Sequence, residues 1–165
     1  MLRRLVILAI AALSLAGSAS AAPIDRSALL AKAVEGAKVC AQTMPDSRAT
    51  SEALKGLGFK LSDANGPLKA YTAFNNKVVV ALTSPSNHSE ACIVAVGKLT
   101  DAEAMQLLQP WLAASAAQPI PVNGKFTHAW RGKFRGGPIE LAITRNTNLY
   151  YFTGRAILAR TAQNP

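Results

Sequence analysis

Residues 125–135 restrict the fold of this chain more than any other stretch, because two kinds of side chain alternate along it. The even positions carry Phe, His, Trp, Gly and Phe, and the odd positions carry Lys, Thr, Ala, Arg, Lys and Arg. This period of two predicts a β-strand with one buried and one exposed face. Gly136 and Gly137 follow and favour a tight hairpin turn, so residues 139–145 are predicted to return as the next strand.

The position of this turn sets the pairing of the two strands. A two-residue loop at the glycine pair would place Phe134 opposite Ile139 on the apolar face and Lys133 opposite Glu140 on the charged face. An opposite-charge cross-strand pair contributes roughly 0.2 to 1 kcal/mol. We therefore expect aromatic and aliphatic side chains on one face, and cations with one paired carboxylate on the other.

A third strand is predicted over residues 149–158, after a turn rich in asparagine. A short loop at that turn would set Tyr150 opposite Ile143 and Phe152 opposite Leu141. A three-residue loop would exchange the two faces of the strand, so the register of the third strand stays open.

Residues 1–21 have the three parts of a secretory signal peptide. Two arginines precede an apolar run over residues 5–15, and a small-residue cleavage site lies just ahead of Ala22. The run is shorter than the roughly 20 apolar residues that cross a bilayer, and no later segment approaches that length. We expect an exported protein without a transmembrane segment, with residues 22–165 as one domain, in the periplasm or alternatively outside the cell.

The positive charge of the chain is concentrated at its C-terminal end. The formal net charge is +9, and from Pro121 onward seven basic side chains accompany a single acidic one, Glu140. An imbalance of this kind bears on partners and solubility, not on fold. Two interpretations stay open: a solvated strand face, or a face that binds an anionic envelope component or an acidic protein. Export argues against nucleic acid as the partner, and the oligomeric state is left open.

The candidate binding residues are cationic side chains of the alternating stretch, with one tyrosine and one arginine from the third predicted strand. On the two-residue register the tyrosine points with the arginines, where an exposed aromatic ring suits ligand contact. The candidates are Lys125, Arg131, Lys133, Arg135, Tyr151 and Arg155.

Start and stop signals predict two helices near the N-terminus. The first has Asp25 or Ser27 as its N-cap and ends at Pro45, with apolar residues spaced three and four apart between them. The second covers residues 48–57 and is ended by Gly58, because glycine reaches the left-handed conformation that closes many helices.

A central helix begins at a capping box, in which the Thr100 and Glu103 side chains each satisfy a free backbone donor. Pro110 lacks a backbone N–H, so we expect this helix to kink there or to end near Gln109.

Strands are predicted over residues 68–74 and 77–83, joined by a turn at Asn75 and Asn76, and again over residues 91–96. The element order predicts a single α+β domain. In this domain two N-terminal helices and one central helix cover a mainly antiparallel sheet, which ends in a C-terminal three-stranded meander.

Cys40 lies on the apolar side of the first predicted helix, and Cys92 lies in a predicted strand. In an exported protein an even pair of cysteines indicates a disulfide, which would contribute about 4 kcal/mol by closing so long a loop. The alternative is two separate buried thiols.

No motif in the sequence predicts a catalytic residue, a metal site or a cofactor. His88 and His128 are far apart, without the spacing of metal ligands, and the sequences around serine lack nucleophile motifs. The first hypothesis is therefore a binding protein that uses a basic sheet face. The alternatives are a small hydrolase-like enzyme, which a pocket holding His128 beside a carboxylate would favour, and a structural or inhibitory module with an exposed apolar patch.

Overall fold

A computed structural model of the chain describes residues 24–64, 68–83, 90–122, 124–149 and 152–161. The predicted signal peptide, Tyr151 and His88 lie outside the described residues. None of the helices within these ranges is long and apolar enough to cross a membrane.

The described residues form three helices and ten strands. The helices are α1 (Arg26–Thr43), α2 (Ser47–Gly56) and α3 (Asp101–Ser115). The strands are β1 (Lys60–Asp63), β2 (Leu68–Ala73), β3 (Val78–Thr83), β4 (Ala91–Val96), β5 (Gln118–Pro119), β6 (Phe126–Phe134), β7 (Gly137–Thr144), β8 (Thr147–Leu149), β9 (Phe152–Gly154) and β10 (Ala156–Thr161).

Eight of these strands form one antiparallel sheet in the order β1-β2-β3-β4-β10-β7-β6-β5. Helix α1 lies over β3 and β4, α3 lies over β6, β7 and β10, and α2 packs against α1 and β1. The predicted α+β class and the layer of helices on one side of the sheet are confirmed. We call the side under α1 and α3 the helix face, and the opposite side the far face.

The helix face carries the main hydrophobic core. Large side chains such as Trp111 of α3, Tyr71 of β2 and Leu141 of β7 are at most 2 % exposed there. The far face of the central strands is lined by smaller residues, with Val79 and Ala81 in a second buried cluster. Burial of the larger aliphatic and aromatic side chains therefore holds the helices to one side of the sheet.

The predicted disulfide is present between Cys40 of α1 and Cys92 of β4, with 6.3 Å between the two Cα atoms. Both cysteines are fully buried. The bond joins the first helix to the middle of the sheet, which rules out the alternative of two separate thiols.

The predicted signal at the C-terminal end of α2 is confirmed, and Asp46 is an N-cap that was not predicted. At its start the Asp46 carboxylate accepts hydrogen bonds from the backbone N–H groups of Arg48 and Ala49. At its end Gly58 has a φ of +82°, and the N–H of Phe59 donates to the carbonyl of Leu54 at 3.0 Å. This arrangement is the Schellman motif, which closes a helix by satisfying its last carbonyl groups.

Helix α3 begins with the predicted capping box between Thr100 and Glu103. The expected end near Gln109 is wrong, because the helix continues through Pro110 to Ser115. Packing explains the difference: Leu108 and Trp111, on either side of the proline, are both fully buried against the sheet. Their burial outweighs the backbone hydrogen bond that proline cannot donate.

The β6–β7 turn lies one residue earlier than predicted. Arg135 and Gly136 occupy it with φ values of +49° and +82°, which are the two positive angles that a type I′ turn requires. Lys133 is therefore opposite Pro138, and Glu140 is opposite Arg131, so the predicted pairing of Lys133 with Glu140 is wrong. The error moves each partner by two positions, which leaves the side chains of residues 128–134 on their predicted faces.

A β-bulge interrupts the alternation near the start of β6. His128 pairs with Ile143 and Phe126 pairs with Thr144, so one extra residue, Thr127, lies between them. Directly opposite residues of an antiparallel pair share a face, and Thr144 lies on the far face with Ala142. Phe126 is therefore on the far face, not on the helix face with Trp130 as the strict alternation predicted.

The third strand of the meander begins later than predicted. Ile157 of β10 pairs with Ile143, whereas Phe152 pairs with Leu149 inside the separate β8–β9 hairpin. The predicted pairing of Phe152 with Leu141 is wrong, and the predicted pairing of Tyr150 lies outside the described residues. A small hairpin is inserted between β7 and β10, which the turn signals alone did not distinguish from a continuous strand.

Both edges of the sheet are short strands. β1 has four residues and a register shift between Leu61 and Asp63, and β5 has two residues that pair with the middle of β6. The chain leaving α3 lies close against β6 at this edge. A Cβ atom on Gly132 would come within 2.6 Å of the carbonyl oxygen of Ser115, so only glycine permits this approach.

Candidate functional site

A row of charged side chains crosses the far face of the C-terminal strands. Arg131 of β6 is directly opposite Glu140 of β7, and Glu140 is directly opposite Arg160 of β10. Lys133 lies two residues along β6 from Arg131 and shares its face, because side chains alternate along a strand. We call these four residues, Arg131, Lys133, Glu140 and Arg160, the charged row.

Glu140 is held between two arginines. The Nη2 atom of Arg131 donates to Glu140 Oε1 at 2.8 Å, and the Nη2 atom of Arg160 donates to Glu140 Oε2. The hydrogen bond from Arg160, followed by that from Arg131, holds the pKa of the Glu140 carboxyl below its ordinary value. Glu140 therefore stays ionised at neutral pH, and one carboxylate is shared by two guanidinium groups.

The charged row keeps an excess of positive charge at the surface. Its three cations face one carboxylate, and the side chains of Arg131 and Arg160 are 62 % and 49 % exposed. Within the described residues each guanidinium uses one nitrogen for Glu140, which leaves further N–H donors for an oxyanion. Lys133 is exposed and makes no ion pair with any described residue.

Two more cations lie where β6 begins and β7 ends. The backbone N–H of Arg145 donates to the carbonyl of Lys125 at 2.9 Å, which places the two residues side by side. Both are exposed, and they line a hollow of about 430 Å³ together with Phe126 and Asn146.

Arg135 lies apart from the charged row, at the C-terminal end of α1. Its Nη1 donates to the carbonyl of Met44 at 3.0 Å, and its Nη2 donates to the carbonyl of Gln42. A guanidinium in this position satisfies carbonyl groups that the helix leaves without partners and opposes the negative end of the helix dipole.

Arg155 is likewise bound at a helix end. Its Nε atom lies 3.0 Å from Asp101 Oδ1, at the N-terminus of α3. Its Nη1 donates to the carbonyl of Leu99 at 3.4 Å.

The six predicted site residues are therefore not on one surface. Arg131 and Lys133 share the far face, and Lys125 lies at the end of the same strand. Arg135 and Arg155 contact helix ends, and Tyr151 lies outside the described residues. Sequence reasoning missed Arg160 and Arg145. The pairing of Arg160 with Glu140 would have identified it, but that pairing depends on the register of β10.

His128 has no carboxylate neighbour among its described contacts. It is exposed, its ring is stacked on Trp130 with 5.8 Å between centroids, and its Nδ1 lies 3.2 Å from Thr127 Oγ1. No group of three His, Cys, Asp or Glu residues in the described part of the chain could hold a metal ion.

A scan against protein-family models, a search of curated proteins and a search of solved structures each found no match to this chain.

Proposed function

We propose that this chain is an exported binding protein whose far face recognises an anionic component of the cell envelope. One observation carries the proposal: three exposed cations of the charged row surround a single carboxylate on a sheet face that α1 and α3 leave uncovered. Guanidinium groups suit this task because their planar donors match the geometry of phosphate and carboxylate groups.

Export is part of the same proposal. A buried disulfide is compatible with an oxidising compartment, and it supports a periplasmic or extracellular location for residues 22–165. The mass of the chain recovered from the periplasm of an expressing bacterium tests this directly. We expect a protein that begins at Ala22, and recovery of the uncleaved chain from the cytoplasm would contradict export.

The binding proposal is tested by retention on a phosphate-bearing polymer across a salt gradient. In the test variant, Arg131, Lys133 and Arg160 are all changed to Gln. The matched control changes three exposed lysines away from the far face, Lys38→Gln, Lys55→Gln and Lys77→Gln, so both variants lose three positive charges.

We expect the test variant to elute at clearly lower salt than the parent, and the control to elute close to the parent, because binding depends on local charge density. Equal shifts in the two variants would mean that only net charge matters, and the proposal would then be wrong. Stronger retention on an acidic protein than on the phosphate polymer would indicate a protein partner in place of an envelope polyanion.

A further inference from the structure

Two hollows lie next to each other beside the far face, and Phe126 is part of the wall of both. The first has a volume of about 220 Å³ and is lined mainly by apolar side chains, including Ala129, Ala142, Leu158 and Val122. The bulge at Thr127 creates this arrangement, because it turns Phe126 away from the core and towards these residues.

The second hollow is cationic. Its described lining includes Lys125, Arg145 and Asn146 and contains no acidic side chain. All three of these side chains carry hydrogen-bond donors, and two of them are charged. A phosphate or carboxylate group placed here would meet only cationic and neutral neighbours among the lining residues.

The opposite end of the apolar hollow has a different charge. Glu140 and Arg160 line it, and they are bound to each other. That end contains a carboxylate, whereas no acidic side chain is among the described lining residues at the Lys125 end. An anionic group is therefore attracted to the Lys125 end. A ligand with a single anionic end would bind across the two hollows in one orientation.

We propose that the two hollows together bind an anionic amphiphile, with its phosphate or carboxylate head between Lys125 and Arg145 and its aliphatic chain along Phe126 and Leu158. This inference goes beyond the proposed function, because its head site uses Lys125 and Arg145 and not the charged row. The volume of about 220 Å³ lies below the roughly 300 to 1,000 Å³ of sites that hold drug-sized ligands. The hollow therefore suits a short acyl segment and not a whole lipid. A peptide fits less well, since its amide groups need polar partners that the apolar lining does not provide.

Titration calorimetry of the unmodified chain provides a direct readout. The probe is decyl phosphate, used below the concentration at which it forms micelles. We expect decyl phosphate to bind in a saturable way, and decanoate to compete with it.

Two variants test the two ends of the ligand. Arg145→Gln removes a cation from the head site, and Val122→Asp puts a charge into the wall of the apolar hollow at a residue that is 46 % exposed. Each is expected to raise the half-saturating probe concentration roughly tenfold, as loss of one charge-assisted or apolar contact would. Lys77→Gln, in the β2–β3 turn, is the matched control and should bind as the parent does.

The inference is overturned if decyl phosphate does not bind, or if both variants bind it as the parent does. It is also overturned if inorganic phosphate displaces it as well as decanoate does, since the apolar hollow would then add nothing. Better displacement by an acidic peptide would point to a protein ligand and would equally overturn it.

The polymer experiment separates this inference from the proposed function. If retention still depends on the charged row while no amphiphile binds, the anion-binding face stands and only the class of ligand is wrong. If retention does not depend on the charged row but the amphiphile binds at Arg145, the broader proposal is the one that fails.

Discussion

The two faces of the sheet use the same kinds of charged residue in different ways. At the margin of the helix face, Arg26 and Arg135 donate to backbone carbonyl groups that lie 71 to 93 residues away in sequence. On the far face, Arg131 and Arg160 bind only the Glu140 side chain among the described residues and remain about half exposed. The comparison teaches that the surroundings, and not the residue type, decide whether a cation holds the fold together or is available to a ligand.

The largest effect is expected from the bond that fixes the helix face to the sheet. Changing both Cys40 and Cys92 to Ala should lower the free energy of unfolding by about 4 kcal/mol, since the bridge closes a loop with a sequence separation of 52. Urea unfolding of the oxidised parent and the double variant measures this difference. A loss below about 1 kcal/mol would mean that α1 is held to β4 mainly by packing.

A smaller loss is expected when the anchor of α1 is removed. Arg26 donates to Glu103 Oε2 at 2.7 Å and also to the carbonyl groups of Gly97 and Lys98. Arg26→Gln should therefore cost about 2 kcal/mol, the usual value for hydrogen bonds to charged groups that are partly buried. The urea midpoint should fall without a change in slope.

Arg48→Gln is the matched control for this variant. Arg48 also pairs with a glutamate, but its side chain is 87 % exposed. Its loss should cost less than about 0.5 kcal/mol, as is usual for a surface pair. If the two variants are equally stable, the carbonyl contacts of Arg26 add nothing.

The same anchor should make stability depend on pH. Hydrogen bonds from Arg26 and from the Thr100 backbone lower the pKa of Glu103 from 4.5 to about 2. A carboxyl with a lowered pKa in the folded state stabilises the fold above its unfolded pKa, and this stability is lost as pH falls from about 4.5 towards 2. Allowing for solvent at Arg26, whose side chain is 37 % exposed, the loss should be about 1 to 2 kcal/mol.

Thermal unfolding between pH 6 and pH 2.5 measures this effect, with Glu103→Gln for comparison. The variant should lose less stability over this range than the parent does. Parallel curves for the two proteins would show that a different carboxyl group causes the loss of stability at low pH. Glu140, whose pKa is also lowered, would then be the next residue to substitute.

The smallest effect on stability is expected on the far face. Arg131→Gln together with Lys133→Gln should change the free energy of unfolding by less than about 0.5 kcal/mol, because both side chains are exposed. The same double variant should lose much of its retention on a phosphate polymer. A large loss of stability would mean that this face also supports the fold, and the contrast between the two faces would disappear.

Local signals in the sequence predicted much of the fold. Helix caps depend on residues three or four positions apart, so the Gly58 and Thr100 ends could be identified from the sequence. From His128 to the turn, the faces of the β6–β7 hairpin were also predicted correctly, since the turn was misplaced by one residue and partners therefore moved by two. Arg135 caused that error, because a non-glycine residue with a positive φ is uncommon and the neighbouring glycine pair offered an easier turn.

The candidate site was less predictable, because it depends on contacts between residues distant in sequence. The placing of Arg135 at the end of α1 joins residues 91 positions apart, and no local pattern reveals it. The bulge at Thr127 moved Phe126 to the other face, and an inserted hairpin shifted the third strand. The hollow beside Phe126 exists because of that bulge, so strict alternation could not have revealed it.

The close approach of the chain to Gly132 also bears on how copies of the protein avoid one another. β6 has nine residues, and β5 covers only the middle of its outer edge. A larger side chain at position 132 would push away the chain at Ser115 and Ala117 and leave more of that edge without backbone partners. Exposed edges of this kind recruit strands from other molecules. This glycine therefore helps to keep copies of the chain from self-association through that edge.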